Sequence, residues 1–194
     1  MGCVLEIICQ ILFLGSPLLL VAMAQGFCIK YDWLSRLKRP LDLGLSFKEN
    51  RIFGDHKTWR GFVINLTFCT LGTMIQASLQ NRDYLPSWLP LLDYKEYRYL
   101  SGIFLGIGMT LGELLNSFLK RQLKIAPGKR RRGILGVAFF LFDQVDLTIG
   151  MWVFFFFLIK PSLLLILWSF LITIVLHVTI SIMGYLLGIR KTIL

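Results

Sequence analysis

Beyond Glu6, four ionisable side chains, Glu113, Asp143, Asp146 and His177, stand inside runs that are otherwise apolar. A carboxylate in hydrocarbon costs at least about 2.5–3.5 kcal/mol, so such groups persist where they face one another or water, and they mark function by default. Helical spacing groups them with other polar residues. Glu113, Asn116, Ser117 and Lys120 follow an i, i+3, i+4, i+7 stripe, Asp143 and Asp146 lie one turn apart, and His177, Ser181, Gly184, Tyr185 and Gly188 share a face. At about 1.5 Å per residue, Glu113 is about 10 Å from Lys120, Asp143 about 15 Å from Gly133 and His177 about 16 Å from Gly188. Converging acids with Lys and Arg at the mouth suit a divalent cation and a polyphosphate, because Mg²⁺ is typically held by one or two carboxylates plus phosphate oxygens. Glu113, Asp143 and Asp146 are therefore the candidate metal ligands, expected in one hydrated cleft. The plainer alternative is that they pair with Lys or Arg only to fix helix register.

A second group precedes an apolar run. Arg51-Ile52-Phe53-Gly54-Asp55-His56-Lys57-Thr58-Trp59-Arg60-Gly61 places Gly, Asp, Lys, Thr and Arg where a helix begins, and free N–H groups beside Lys and Arg make an anion site. It is not a Walker A loop, since Gly-x-x-x-x-Gly-Lys-Ser/Thr does not occur. Lys129-Arg130-Arg131-Arg132 reads as a topology signal and a contact with anionic lipid.

The elements that position these residues are membrane helices. Of 194 residues 56% are hydrophobic and 16% charged, and a mean hydropathy of +0.68 excludes an ordinary water-soluble domain. Apolar runs at 4–29, 61–79, 99–119, 134–159 and 162–187 predict an all-α integral membrane protein, a bundle of about five helices forming one domain over 1–194, with a cytoplasm-facing polar cleft. The run at 61–79 is diluted by Asn65, Thr67, Thr70, Thr73 and Gln76 and needs neighbours to shield it. Eight Lys and Arg fall in 30–60, seven in 120–133 and two after 188, against Arg82, Lys95, Arg98 and Lys160 elsewhere. Loops 30–60 and 120–133 are thus expected to be cytoplasmic, with the amino terminus outside a plasma or inner membrane and the carboxyl terminus in the cytoplasm.

Topology accounts for most of the basic excess, and no nucleic-acid-binding motif appears, so nucleic acid is not an expected partner. Ala22-Met23-Ala24 mimics a signal-peptide cleavage site, yet no basic residue precedes Lys30 and Glu6 is acidic, so an anchored first helix is expected. Cys3, Cys9, Cys28 and Cys69 lack metal-ligand spacing and read as packing residues. Tyr84, Trp88, Tyr94 and Tyr97 in the outer connection are expected at headgroup level. Lys160-Pro161 is too short to separate its flanking helices, which must be antiparallel neighbours, and Gly102/Gly106 and Gly108/Gly112 permit close helix approach.

Taken together, the motifs resemble the CDP-archaeol synthase family of membrane cytidylyltransferases, relatives of CDP-diacylglycerol synthases. The resemblance is carried by Pro40-Leu41-Asp42-Leu43-Gly44, Arg51 through Gly61, Gly112-Glu113, Ser117-Phe118-Leu119-Lys120-Arg121, Asp143-Gln144-Val145-Asp146, and His177 with Tyr185 and Leu187-Gly188-Ile189-Arg190. Glu113 stands where that family usually has Asp. The resemblance implies transfer of CMP from CTP to a membrane lipid phosphate, archaeol-phosphate-like or phosphatidic acid-like, with Mg²⁺ as cofactor and release of pyrophosphate. It further implies that Lys57, Lys120, Arg121, Asp143 and Asp146 are catalytic, that Asp55, Thr58, Arg60, Gly61, Asn116 and Ser117 bind CTP, and that Glu113 joins the two aspartates on the metal. The alternative function is a small ion- or proton-coupled transporter using the same acids and His177. Sequence leaves the oligomeric state and the acceptor's chains open.

Overall fold

The computed structural model describes residues 4–125 and 133–186. The helices are α1 (Val4–Gly15), α2 (Pro17–Lys30), α3 (Trp59–Asn81), α4 (Tyr94–Gln122), α5 (Ile134–Phe155) and α6 (Leu163–Leu186). α1 and α2 together make one apolar segment, so the predicted bundle of about five helices is what forms. Among the described residues α1–α2, α3, α4 and α5 are each long and apolar enough to cross a bilayer, and α6 is a shorter apolar helix over Leu163–Thr179. Neighbours pack in chain order from α2 to α6, and α6 returns to α1, closing the bundle.

The first span is not the continuous helix its hydropathy predicts. Pro17 has no N–H to give Phe13, so the helix breaks at Ser16. In lipid a freed carbonyl must find another donor, and the Phe13 carbonyl accepts from Ser16 N at 3.1 Å and from the Gln76 side chain of α3. Gly72 makes room for Pro17, since a Cβ there would meet the proline ring at 2.5 Å. The polar dilution of α3 is thus structural as well: Gln76 and Thr73 are buried, and Thr73 donates to Arg98 O at 2.6 Å.

α4 is the central helix, and its two glycine pairs serve opposite sides. A Cβ at Gly102 or Gly106 would collide with backbone of α3 at Thr70 or Leu66, and one at Gly108 or Gly112 with backbone of α5 at Gly150 or Asp146. α5 and α6 are the expected antiparallel neighbours. Trp152 donates to Ser169 Oγ at 2.7 Å and the Thr148 and Thr173 hydroxyls meet at 2.8 Å, pairs that step in opposite directions along the two chains.

Of the aromatics in the outer connection, Tyr84 and Trp88 are exposed, whereas Tyr94 turns inward, fully buried and edge-on to Phe13 with ring centroids 5.6 Å apart. Within the all-α bundle, loop 31–58 carries a 3₁₀ turn at Ser35–Leu37 and a short antiparallel hairpin of β1 (Ser46–Phe47) and β2 (Asn50–Arg51). Cys9, Cys28 and Cys69 are free thiols, Cys28 and Cys69 buried in the packing.

Candidate functional site

The loop before α3 is folded around one acid. Asp42, fully buried at its side chain, accepts from Arg51 Nη2 at 2.7 Å and from the backbone N–H groups of Gly44, Phe53 and Gly54 at 2.9–3.1 Å. Burial opposes its charge, but Arg51 and the three backbone donors outweigh that and hold the carboxyl well below the usual range. With the loop gathered in this way, Leu41 N donates to Lys57 O at 2.8 Å and Trp59 N to Arg39 O at 3.0 Å, so Lys57 and Thr58 are fixed in an extended segment. Thr58 then caps α3, its hydroxyl accepting from Gly61 N at 3.3 Å. The far end of α4 braces the same loop: Arg121 lies against Gly54 and donates to Phe53 O at 3.4 Å and to Ile125 O.

A cavity of about 350 Å³ opens where this loop meets α2, α3 and α4. His56, Lys57, Thr58, Arg60 and Gly61 line it from the loop and the start of α3, with Glu113 on the α4 wall. The Lys57 ammonium donates to the Glu113 carboxylate, tying the loop to α4. Arg60 lies along the end of α2, donating to Asp32 at 3.1 Å and to the Cys28 and Trp33 carbonyls at 3.4 Å. Between α2, α3 and α4 three uncharged polar groups form a chain. Gln25 Nε2 donates to Asn65 Oδ1 at 2.6 Å, Asn65 Nδ2 to Thr110 Oγ1 at 3.1 Å, and the Thr110 hydroxyl to Gly106 O at 2.8 Å.

On the other side of α4 lies a second group. Asn116 Nδ2 donates to Asp143 Oδ1 at 2.6 Å and to Asp146 Oδ2 at 2.7 Å, and Lys120 pairs with Asp143. Asp146 and Asn116 are buried. Gly112 allows this, since α5 can bring the Asp146 backbone against it only where α4 has no side chain. Glu113 and Lys57 lie within charge–charge range of Asp146, so the two groups feel each other across one turn of α4.

The expected single cluster of three acids is therefore divided. Among the described residues no three His, Cys, Asp or Glu side chains converge as a metal site; Glu113 faces Lys57 while Asp143 and Asp146 share Asn116. Helical spacing put Glu113 and Asn116 on one broad stripe, but the two project toward different neighbouring elements. The donor chemistry nevertheless fits Mg²⁺ at the aspartates. Asn116 turns its NH₂ to both carboxylates and keeps Oδ1 buried without a hydrogen-bond partner among the described residues; turned over, the amide would set an oxygen beside the two carboxylates, a set that Mg²⁺ completes with phosphate oxygens.

Of the expected nucleotide contacts, Thr58, Arg60 and Gly61 line the cavity with Lys57, and Asn116 stands with the acids. Asp55 does not join them: it is exposed and paired with Arg51 at 3.0 Å. Ser117 is half-buried on α4 and Arg121 points into the loop. His177 is half-buried on α6. The Lys129–Arg132 run, Gly188 and Arg190, together with the side chains of Ser181 and Tyr185, lie outside the described residues. Sequence reasoning missed Gln25, Asn65 and Thr110 as a unit and Asp42 as the organiser of the loop. A Gln five residues before the basic end of the first span was the available signal.

Comparison with known proteins follows the same lines. The family profile described as CarS-like CDP-archaeol synthase matches residues 4–193. Two relatives bearing the name CDP-archaeol synthase are those of Methanosphaerula palustris, 31% identical over 158 residues, and Methanoculleus marisnigri, 34% identical over 160. Each alignment covers 78% of this chain and 87% of the relative. A solved structure described as an intramembrane enzyme for archaeal membrane lipids biosynthesis superposes with a TM-score of 0.64 at 18% identity, over 88% of this chain and 92% of that one, and so shares its fold.

Proposed function

Since the chain belongs to the CDP-archaeol synthase family, and is thus a CTP-dependent enzyme that cytidylylates a lipid phosphate, we propose that its acceptor is an isoprenoid-ether lipid phosphate of the archaeol type. The names of its relatives support that choice over phosphatidic acid. Family membership also sets the enzyme above the transporter alternative. The basic loops lie on the cytoplasmic side, where CTP is, and the amino terminus lies outside.

A lipid phosphate oxygen attacks the α-phosphorus of CTP. As that O–P bond forms, the bond from the α-phosphorus to the oxygen bridging to the β-phosphate breaks, and pyrophosphate leaves with the electron pair. The lipid phosphate is already anionic at neutral pH, so no general base is needed and His177 has no required part. Such transfers depend on positioning and charge stabilisation. Lys57, Arg60 and the capped start of α3 at Thr58 and Gly61 hold phosphates at the loop end of the cavity. Asp143, Asp146 and the Asn116 amide oxygen would hold Mg²⁺, which when bound offsets charge on phosphate oxygens. Lys120 neutralises the departing pyrophosphate, and Arg121 keeps the loop seated on α4. Glu113 orients Lys57 rather than binding metal.

The observation that carries this reading is the adjacency of the two groups: Glu113, holding Lys57, and Asn116, holding both aspartates, are one turn apart on α4. The test is purified protein in detergent with labelled CTP, Mg²⁺, and either unsaturated archaetidic acid or phosphatidic acid. The expected result is a CDP-lipid and pyrophosphate, with kcat/KM at least about tenfold higher for the ether lipid. Equal or better use of phosphatidic acid overturns the acceptor assignment.

A further inference from the structure

We infer that Gln25 reads the nucleobase: its side-chain oxygen accepts a hydrogen bond from the exocyclic amino group of cytosine and so sets CTP above UTP. The inference rests on the cavity beside Lys57 taking the nucleotide.

The orientation of the Gln25 amide follows from a chain of obligatory bonds. A backbone carbonyl can only accept, so at Gly106 O the Thr110 hydroxyl must donate, 2.8 Å away. That hydroxyl has then spent its hydrogen, and toward Asn65 it can only accept, which turns the Asn65 NH₂ to it at 3.1 Å. Asn65 Oδ1 therefore faces Gln25, and Gln25 must answer with its NH₂ at 2.6 Å. Oxygen and nitrogen of an amide are interchangeable in shape, but here the network fixes both amides. The remaining Gln25 Oε1 accepts no hydrogen bond among the described residues, and Gln25 is on the cavity wall.

Charge decides which part of the nucleotide reaches Gln25. The loop end of the cavity carries Lys57 and Arg60, and Glu113 paired with Lys57, whereas Gln25, Asn65 and Thr110 are uncharged and Asn65 and Thr110 are buried. An ionised phosphate is far costlier to desolvate than a ring bearing hydrogen-bonding groups, so the triphosphate stays with the cations and the base goes inward. Cytosine presents an amino donor where uracil presents an acceptor oxygen. A fixed carbonyl opposite that position attracts the first and repels the second.

The test uses the full-length protein in detergent, with competition of unlabelled CTP and UTP against labelled CTP in the absence of lipid, and kcat/KM for both nucleotides with lipid. Gln25→Leu is expected to shrink the CTP-over-UTP ratio about 10- to 100-fold, through weaker CTP binding. Thr110→Val, nearly isosteric, frees Asn65 and Gln25 to flip and is expected to shrink the ratio several-fold; it decides the matter if Gln25→Leu fails to fold. An unchanged ratio in both variants, or a rise confined to the KM for lipid phosphate, overturns the inference while leaving CTP-dependent turnover intact. Loss of wild-type turnover itself would instead remove the reading on which it rests.

Discussion

The two flanks of α4 each carry a Lys–acid pair, yet they are built differently. Toward α3 the close contacts end at Gly106, and beyond it the seam opens into the cavity over Thr110 and Glu113. Toward α5 they continue to Gly112, about 9 Å further along the helix, and the seam is still tight where Asp146 packs beside Asn116. The same device, a small-residue stripe, thus yields a vessel on one side and a clamped pair of acids on the other. Where the stripe stops decides which.

That contrast predicts different failures. The largest effect is expected at the clamped side. Asp143→Asn or Asp146→Asn should cut kcat roughly 10²–10³-fold, on the scale of losing one aligned electrostatic group, and chelation should abolish turnover until Mg²⁺ is restored. Asp146→Asn also sets an NH₂ against one of two donors, Asn116 Nδ2 or Leu147 N, so a modest fall in the thermal midpoint in detergent is expected beside the loss of kcat, and Asp143→Asn is the cleaner reading of the metal site. Full activity of either variant at low Mg²⁺ would break the assignment of this flank to metal.

At the open flank, Lys57→Met should raise the KM for CTP about tenfold or more with a smaller change in kcat, the mark of lost ground-state binding. Glu113→Gln should do less, because Lys57 keeps its charge and loses only its orienter. If Glu113→Gln proved as damaging as Asp143→Asn and altered Mg²⁺ dependence, Glu113 would belong with the ligands after all.

The helix contacts themselves come next. Gly150→Ala places a methyl group against the Gly108 carbonyl, so α4 and α5 must part; a loss of about 1–3 kcal/mol is expected, read as a lower thermal midpoint. Asp42→Asn should have the smallest effect on global stability but loosen the loop, seen as faster proteolysis between 40 and 57. Because the folded carboxyl lies below its ordinary value, its contribution is present above about pH 4 and is lost as pH falls through the folded value. Wild type and Asp42→Asn should therefore differ at pH 6–8 and converge in strong acid. A difference that persisted there would deny the charge its part.

Much of this was legible beforehand because lipid leaves few choices. The helical bundle, the antiparallel pairing of the last two helices and the membrane acids follow from hydropathy, a short connection and the cost of charge in hydrocarbon. The break at Ser16–Pro17 is visible as a proline, but not its repair by Gln76, which lies 63 residues from Phe13 in sequence. The inward turn of Tyr94 is not legible, because an aromatic near a span end reads the same whether it faces the headgroups or Phe13. Glu113 was grouped with the aspartates because a helical stripe gives only the angle about one axis. It does not say which of two neighbouring elements fills that angle.

Sequence by itself determined that this is a bundle of membrane helices bearing acids and bases for phosphate chemistry, since periodicity, charge bias and motif order are properties of a chain read one residue at a time. Only the tertiary structure decided that the acids divide between two flanks of α4, that Asn116 joins Asp143 to Asp146, and that Gln25, Asn65 and Thr110 lock one another's orientation. Those are relations between helices, set by how closely backbones approach at a few glycines, and no single segment encodes the distance to its neighbour.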